Sequence, residues 1–244
     1  MDAAAGDVVI GEVYHWLSDP AHWSGPDGIT VRLTEHVLLT VLSVLIAVAI
    51  GLPLALWLGH RGSGGSVAIN VTNIGRAVPI VALLALLSMG VFGSADFGPF
   101  GRAGLATLVT LSLFALPPII TNTWVGMREV DRGIIEAARG MGMSEAQVAR
   151  RVEVPLALPL IVSGVRLAVV QVWATATIAA LVAGPGLGRI IKHGYDAQRG
   201  AEVVAGALVV AVIALALERF FALVQSWATA RASGQAARSV GAAA

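Results

Sequence analysis

Glu136-Ala137-Ala138-Arg139-Gly140-Met141-Gly142, then nine residues, then Val152-Glu153-Val154-Pro155: this is the longest polar interruption between the first and last apolar runs of a 244-residue chain. The stretch predicts two short helices joined by a turn, within Ile134 to Arg151. Glu136, Ala137, Ala138 and Arg139 are good helix formers. Gly140 and Gly142 end that run, as glycine does beyond a helix C-terminus, and a tight turn at Gly142 calls for positive φ. Ser144 predicts an N-cap for Glu145-Ala146-Gln147-Val148-Ala149-Arg150, and Gln147 completes a capping box. Pro155 suits the first turn of a further helix. The segment therefore predicts a compact helix-turn-helix knuckle projecting from a membrane.

The membrane follows from composition. Hydrophobic residues make up 57% of the chain and charged residues 13%, against roughly 25% charged in a soluble domain. The apolar runs are Val37 to Leu58, Val67 to Phe92, Gly104 to Met127, Leu156 to Val182 and Val203 to about Trp227. Each is close to or beyond the ~20 residues a bilayer needs. The fold class is an all-α membrane protein with about five transmembrane helices. Residues 1–36 form an extracytoplasmic N-terminal segment, 37–227 the transmembrane domain with its polar loop at 129–155, and 228–244 a tail whose small polar residues read as disordered. Tyr14, Trp16 and Trp23 read as interfacial anchors or as part of a loosely ordered terminus. Gly62-Ser63-Gly64-Gly65-Ser66 is a flexible link. Ile190 to Gln198 reads as a short amphipathic segment dipping back.

Several classes are excluded. A net charge of +1 argues against a nucleic-acid binder. With no cysteine there is neither a disulfide scaffold nor a thiolate metal site. The lone lysine, Lys192, lies between Ile191 and His193, so no P-loop is present to hold ATP. His15, His22, His36, His60 and His193 lack metal-ligand spacing and read as solvated or interfacial. Gly184-Pro185-Gly186-Leu187-Gly188 reads as a turn. Met1 to Asp7 holds no base, so no signal peptide is expected. No catalytic residue, metal site or cofactor is assigned to this chain.

Polar residues interrupt the spans. Asn70, Thr72, Asn73, Gly75 and Arg76 precede Pro79. Pro117-Pro118 break the third span, and Thr121, Asn122 and Thr123 follow. The fourth span carries Ser163, Arg166, Gln171, Trp173, Thr175 and Thr177. Polar groups at this depth face protein or a water-filled path, which makes Asn122, Gln171, Trp173, Thr175 and Thr177 candidates for lining a solute path; bridging between helices is the other reading. No carboxylate lies between Glu35 and Asp96, between Asp96 and Glu129, or between Glu153 and Asp196. That counts against a proton-coupled carrier, although backbone carbonyls can hold sodium.

The Glu-Ala-Ala, Gly142 and Val152 to Pro155 spacing resembles the EAA loop of permease subunits in bacterial ABC importers. The family pattern closes on Ile-x-Leu-Pro where this chain has Val-Glu-Val-Pro, two aliphatic exchanges. A longer resemblance, from about Leu116 to Leu187, points to osmoprotectant importers for glycine betaine, carnitine, choline or proline betaine. It is carried by Pro118 to Thr123, Val130-Asp131, Glu136 to Gly142, Val154 to Pro159, and Ala174 to Thr177 leading to Gly186-Leu187-Gly188. The resemblance implies the type I ABC importer permease fold, with Glu136, Ala137, Ala138, Arg139, Gly140, Gly142 and Pro155 in a coupling helix that docks on an ATP-binding subunit. It implies two copies of that subunit, a second permease (identical or paralogous) and an extracytoplasmic substrate-binding protein, all at the bacterial cytoplasmic membrane. ATP would be bound by the partner alone. Selectivity for a quaternary ammonium by cation–π contact would rest mostly with the binding protein. A permease for another small polar solute is the alternative, and an ion-coupled carrier a weaker one.

Taking the polar loop as cytoplasmic, the inner segments hold Arg61, Arg128, Arg132, Arg139, Arg150, Arg151, Arg219, Arg231 and Arg238. The outer segments hold Arg32, Arg102, Arg189, Lys192 and Arg199. This excess agrees with the positive-inside bias and places the N-terminus outside and the C-terminus inside.

Overall fold

A computed structural model of the chain describes residues 3–62, 70 and 78–241. The described residues are helices and connecting turns. Helix α1 is Ala3–Ser18, and α2 is Ile29–Arg61. Next come α3 at Ile80–Met89 and α4 at Gly104–Arg128. Helix α5 is Arg132–Gly140. Helix α6 is the continuous helical run Glu145–Val182. Helices α7 at Gly188–Asp196 and α8 at Gly200–Gly241 complete the chain.

Among the described residues, four helices, α2, α4, α6 and α8, are long and apolar enough to cross a membrane. At 33 residues, α2 is roughly 50 Å long at 1.5 Å per residue, more than the ~30 Å hydrocarbon core. The second sequence-predicted span, Val67 to Phe92, is described only in part. Apart from Asn70, its described portion begins at 78 and holds the ten-residue apolar α3 and a single turn at Val91–Ser94. Thr72, Asn73, Gly75 and Arg76 lie outside the described residues, as does most of the Gly62-to-Ser66 link. The segment from 228 on, which composition reads as disordered, is helical backbone through Gly241, because α8 continues past the apolar run.

The chain divides into two compact units, and each long helix contributes to both. The first comprises Met1–Ser43, Val78–Ser112 and Val170–Ala216. Leu39, Phe100 and Leu108 form a buried apolar cluster in it. The second comprises Val44–Ala77, Leu113–Val169 and Leu217–Ala244. Its core holds Ala55 and Ile120, and separately Met127, Ala157 and Ile161. Close approach decides the packing there. A Cβ at Gly164 of α6 would sit 2.8 Å from the Pro118 carbonyl oxygen of α4. Small residues at such crossings let membrane helices pack by van der Waals contact.

Helix α4 is the most enclosed span: 67% of its apolar window is buried inside the chain, against 17% for α8. Val212, Leu215, Leu223 and Trp227 of α8 are exposed. In water such a surface would be costly; against lipid it is not.

Proline shapes two spans. Pro117 and Pro118 lie inside α4, which runs through them without a break. They cannot donate to the carbonyls one turn earlier. In α6 the backbone widens to a π turn at Ala149–Glu153, with the Val154 N–H donating to the Ala149 carbonyl. Pro155 follows at once. It offers the Arg151 carbonyl no donor and its ring crowds it in a regular turn, so one wide turn relieves the conflict.

Candidate functional site

The knuckle is built as its residues dictate, with one difference. Asp131 caps α5, its carboxylate accepting from the Gly133 N–H at 2.6 Å. The turn that follows needs glycine: Gly142 has φ +82°, and its surroundings would leave a Cβ free. The requirement is therefore conformational, not steric. Ser144 caps the next helix, and Gln147 Oε1 accepts from the Ser144 N–H at 2.8 Å to form the capping box. The second helix is not separate, however. It passes through the π turn directly into the span, and Pro155 sits in the first α turn after that widening instead of starting a new helix.

Among the sequence-predicted coupling residues, Glu136, Ala137, Arg139, Gly140 and Gly142 are exposed, and Ala138 is buried. Met141, at 77% exposure, stands out beside them. Arg139 faces back into the knuckle. Its Nε and Nη2 each donate to a different oxygen of Glu145 at 2.9 Å, bracing α5 against the start of α6. That hydrogen bond holds the Arg139 guanidinium above its ordinary pKa.

A residue far away in sequence completes this brace. His60, at the end of α2, lies 2.5 Å through Nδ1 from Glu153 Oε2 and 3.5 Å through Nε2 from Glu145 Oε2. Glu153 is only 4% exposed. A polar chain Arg139–Glu145–His60–Glu153 thus ties the knuckle to the end of α2. His60, expected to be solvated or interfacial, is instead half-buried between two carboxylates. Glu153 had given one signal, a carboxylate set among Val152, Val154 and Pro155.

The first unit holds a second constellation. Glu35 Oε2 accepts from the Gly186 N–H at 2.8 Å, and the same carboxylate is gripped by Arg32 Nη1 at 2.8 Å. Arg32 also pairs with Asp27. His36 is fully buried. Its Nδ1 accepts from the Leu187 N–H at 3.2 Å, so its Nε2 carries the proton and donates to the Trp173 carbonyl at 2.9 Å. Gly186 has φ +103°, and a Cβ there would lie 3.0 Å from His36 Nδ1. The Gly184-to-Gly188 turn is therefore clamped by α2, and His36, expected to be solvated or interfacial, is instead a buried part of that clamp.

This clamp bears on the path candidates. Trp173 is 1% exposed, its ring centroid 4.3 Å from that of His36, and its Nε1 donates to the Val210 carbonyl at 3.0 Å. It bridges helices within its own unit. Gln171, Thr175 and Thr177 of that unit are half-buried, and the Thr177 hydroxyl donates to the Ala174 carbonyl at 2.7 Å. In the second unit, half-buried Asn122 donates from Nδ2 to the Pro118 carbonyl at 2.9 Å, on its own helix. The first unit also has a cleft of about 810 Å³ with Trp16, His22, Arg189, Lys192 and Glu202 among its walls. Trp16 stacks on His22 there, with centroids 4.2 Å apart.

Comparison with known proteins matches residues 47–232 to the family described as "Binding-protein-dependent transport system inner membrane component". The carnitine transport permease protein OpuCB of Listeria monocytogenes is 31% identical over 188 residues, 77% of this chain and 82% of the relative. The choline transport system permease protein OpuBB of Bacillus subtilis is 29% identical, over 78% of this chain and 84% of its own. The osmoprotectant import permease protein OsmW of Salmonella typhimurium is 31% identical, over 85% and 92%. Among solved structures, a chain of the inward-facing MetNI methionine ABC transporter superposes with a TM-score of 0.70 at 22% identity, covering 86% of this chain and 99% of that one. The last likeness establishes the fold, and the match across three quarters of the sequence establishes more: the chain belongs to the binding-protein-dependent transport system inner membrane components, as a multi-pass membrane permease of the ABC importer type.

Proposed function

We propose that this chain forms the translocation pathway of an ATP-driven importer for a compatible solute such as glycine betaine, carnitine or choline. The roles of OpuCB, OpuBB and OsmW as carnitine, choline and osmoprotectant permeases support the solute class, since the likeness spans most of both chains. Hydrolysis belongs to a separate ATP-binding subunit, present in two copies, because this sequence has no P-loop. A second permease, identical or paralogous, completes the path, and an extracytoplasmic binding protein delivers the solute. No cofactor is bound by this chain. The N-terminus is outside and the C-terminus inside.

The observation that carries coupling is the braced knuckle. An exposed face with Glu136, Ala137 and Met141 is presented for docking, while Arg139, Glu145, His60 and Glu153 hold that face rigidly to the ends of α2 and α6. ATP-driven closure of the partner then moves the spans instead of bending a loop. Asn122, Gln171, Thr175 and Thr177 are each proposed to line the path, while Trp173, whose indole N–H donates to the Val210 carbonyl, bridges helices instead. The path-lining groups offer weak polar contacts, which suits passage, since tight binding hinders release.

Uptake by proteoliposomes containing the whole importer tests this reading. Labelled glycine betaine, carnitine or choline should enter only with internal ATP and the binding protein. Gly142→Leu should leave ATP hydrolysis running while uptake collapses, and Glu136→Lys should weaken co-purification of the ATPase. Uptake driven by an ion gradient without ATP would remove the importer assignment, and wild-type behaviour of both variants would remove the docking face. Transport of an unrelated polar solute alone would favour the second reading of the substrate.

A further inference from the structure

We infer that the cleft at the base of the knuckle binds the headgroup phosphate of an anionic phospholipid. The cleft is about 270 Å³, within the second unit, and is lined by the end of α2, the end of α4 and the start of α5. That is just under the ~300 Å³ at which pockets for drug-sized ligands begin, a size suited to a headgroup.

Its charge is unbalanced. Arg61, Arg128, Arg132 and Arg139 line it with Glu136 and Glu153. Glu153 is taken by His60, and Arg139 by Glu145. Arg61, Arg128 and Arg132 are exposed and form no ion pair among the described residues, which leaves three cations facing the single carboxylate of Glu136.

The carbonyl ends of α2 and α4 attract cations, which accounts in part for Arg61 and Arg128. It does not account for Arg132. That residue opens α5, at the positive end of a helix dipole, where a cation is disfavoured and an anion favoured. Asp131 already caps that end of α5, so the requirement for an anion rests on the three arginines of the cleft together.

The position specifies a lipid. Arg61 lies over the Trp57 ring at 4.4 Å, and Trp57 is half exposed, the pairing of aromatic and cation that marks a membrane–water interface. Met127 and Ile135 add apolar wall. Gly62 leaves room for the arrangement: a Cβ there would fall 2.7 Å from Arg128 Nη1. Basic pockets between membrane helices at this level are suited to phosphate headgroups.

The test is retention of lipid by the purified chain in detergent, read by native mass spectrometry after exposure to equimolar phosphatidylglycerol and phosphatidylcholine. Wild type should keep phosphatidylglycerol in preference. In the double variant R128Q/R132Q that preference should fall roughly thirtyfold, from about 1 kcal/mol for each basic side chain at a membrane surface. R128K/R132K keeps the charges and should keep most of the preference, which separates charge loss from misfolding. An unchanged preference in R128Q/R132Q overturns the proposal. Displacement of the lipid by excess inorganic phosphate alone would make this a free-anion site and overturn the lipid assignment. Loss of the ATP-binding subunit from R128Q/R132Q, with lipid preference intact, would assign the arginines to a protein partner and overturn it too.

Discussion

His36 and His60 lie toward opposite ends of the same helix, and each ties α2 to a stretch remote in sequence. They do so by different chemistry. His36 is fully buried and bonds only to backbone, accepting from Leu187 and donating to Trp173. Its neutral ring fixes one tautomer, and moving the Gly184-to-Gly188 turn would strand a buried donor and acceptor. His60 is 22% exposed at its side chain and meets two carboxylates. Its contact with Glu145 lies near solvent, where polar contacts are weaker, screened by salt and replaceable by water, whereas Glu153 is buried. One end of α2 is thus fastened for permanence, and the other joins the element we propose as the coupling device, where a rigid but exchangeable link is useful.

The largest expected effect tests the permanent clamp. His36→Leu should destabilise the chain by on the order of 3 kcal/mol, because two buried backbone groups lose their side-chain partner. Thermal unfolding in detergent measures it, and a wild-type melting temperature would erase the distinction between the two ends. His60→Ala should cost less, about 1–3 kcal/mol, as buried Glu153 loses its partner. Adding Glu153→Gln to that variant should recover part of the loss, since the stranded charge is then gone; no recovery would mean that the pair is not the source of the cost. Arg139→Ala should leave the melting temperature unchanged, because its pair with Glu145 lies at the surface, where such pairs contribute little. It should instead reduce the ratio of solute moved to ATP hydrolysed, and an unaltered ratio would take Arg139 out of the brace. Raising salt should reproduce this smallest effect in the wild type while sparing the His36 clamp.

The knuckle was legible because its signals are local. Ser144 with Gln147, the Glu136-to-Arg139 helix formers and Gly142 at the turn each specify backbone within a few residues. Continuity of α6 through the π turn was not legible, since it depends on how the strain of Pro155 is relieved. The path candidates show the same boundary. Trp173 and Thr177 are polar residues in a span whichever way they face. Burial against His36 and Val210 makes Trp173 a bridge, and no pattern in sequence distinguishes a bridge from a wall.

By itself, then, the sequence determined the all-helical membrane class, through apolar runs of bilayer length, and the site and shape of the knuckle, through short-range capping and turn chemistry. Only the tertiary structure decided which polar groups meet. Glu35 finds Gly186, His36 finds Leu187, and His60 finds Glu153, because helices that cross a membrane repeatedly bring distant residues together, and hydrogen bonds at a few ångströms leave no periodic trace along the chain.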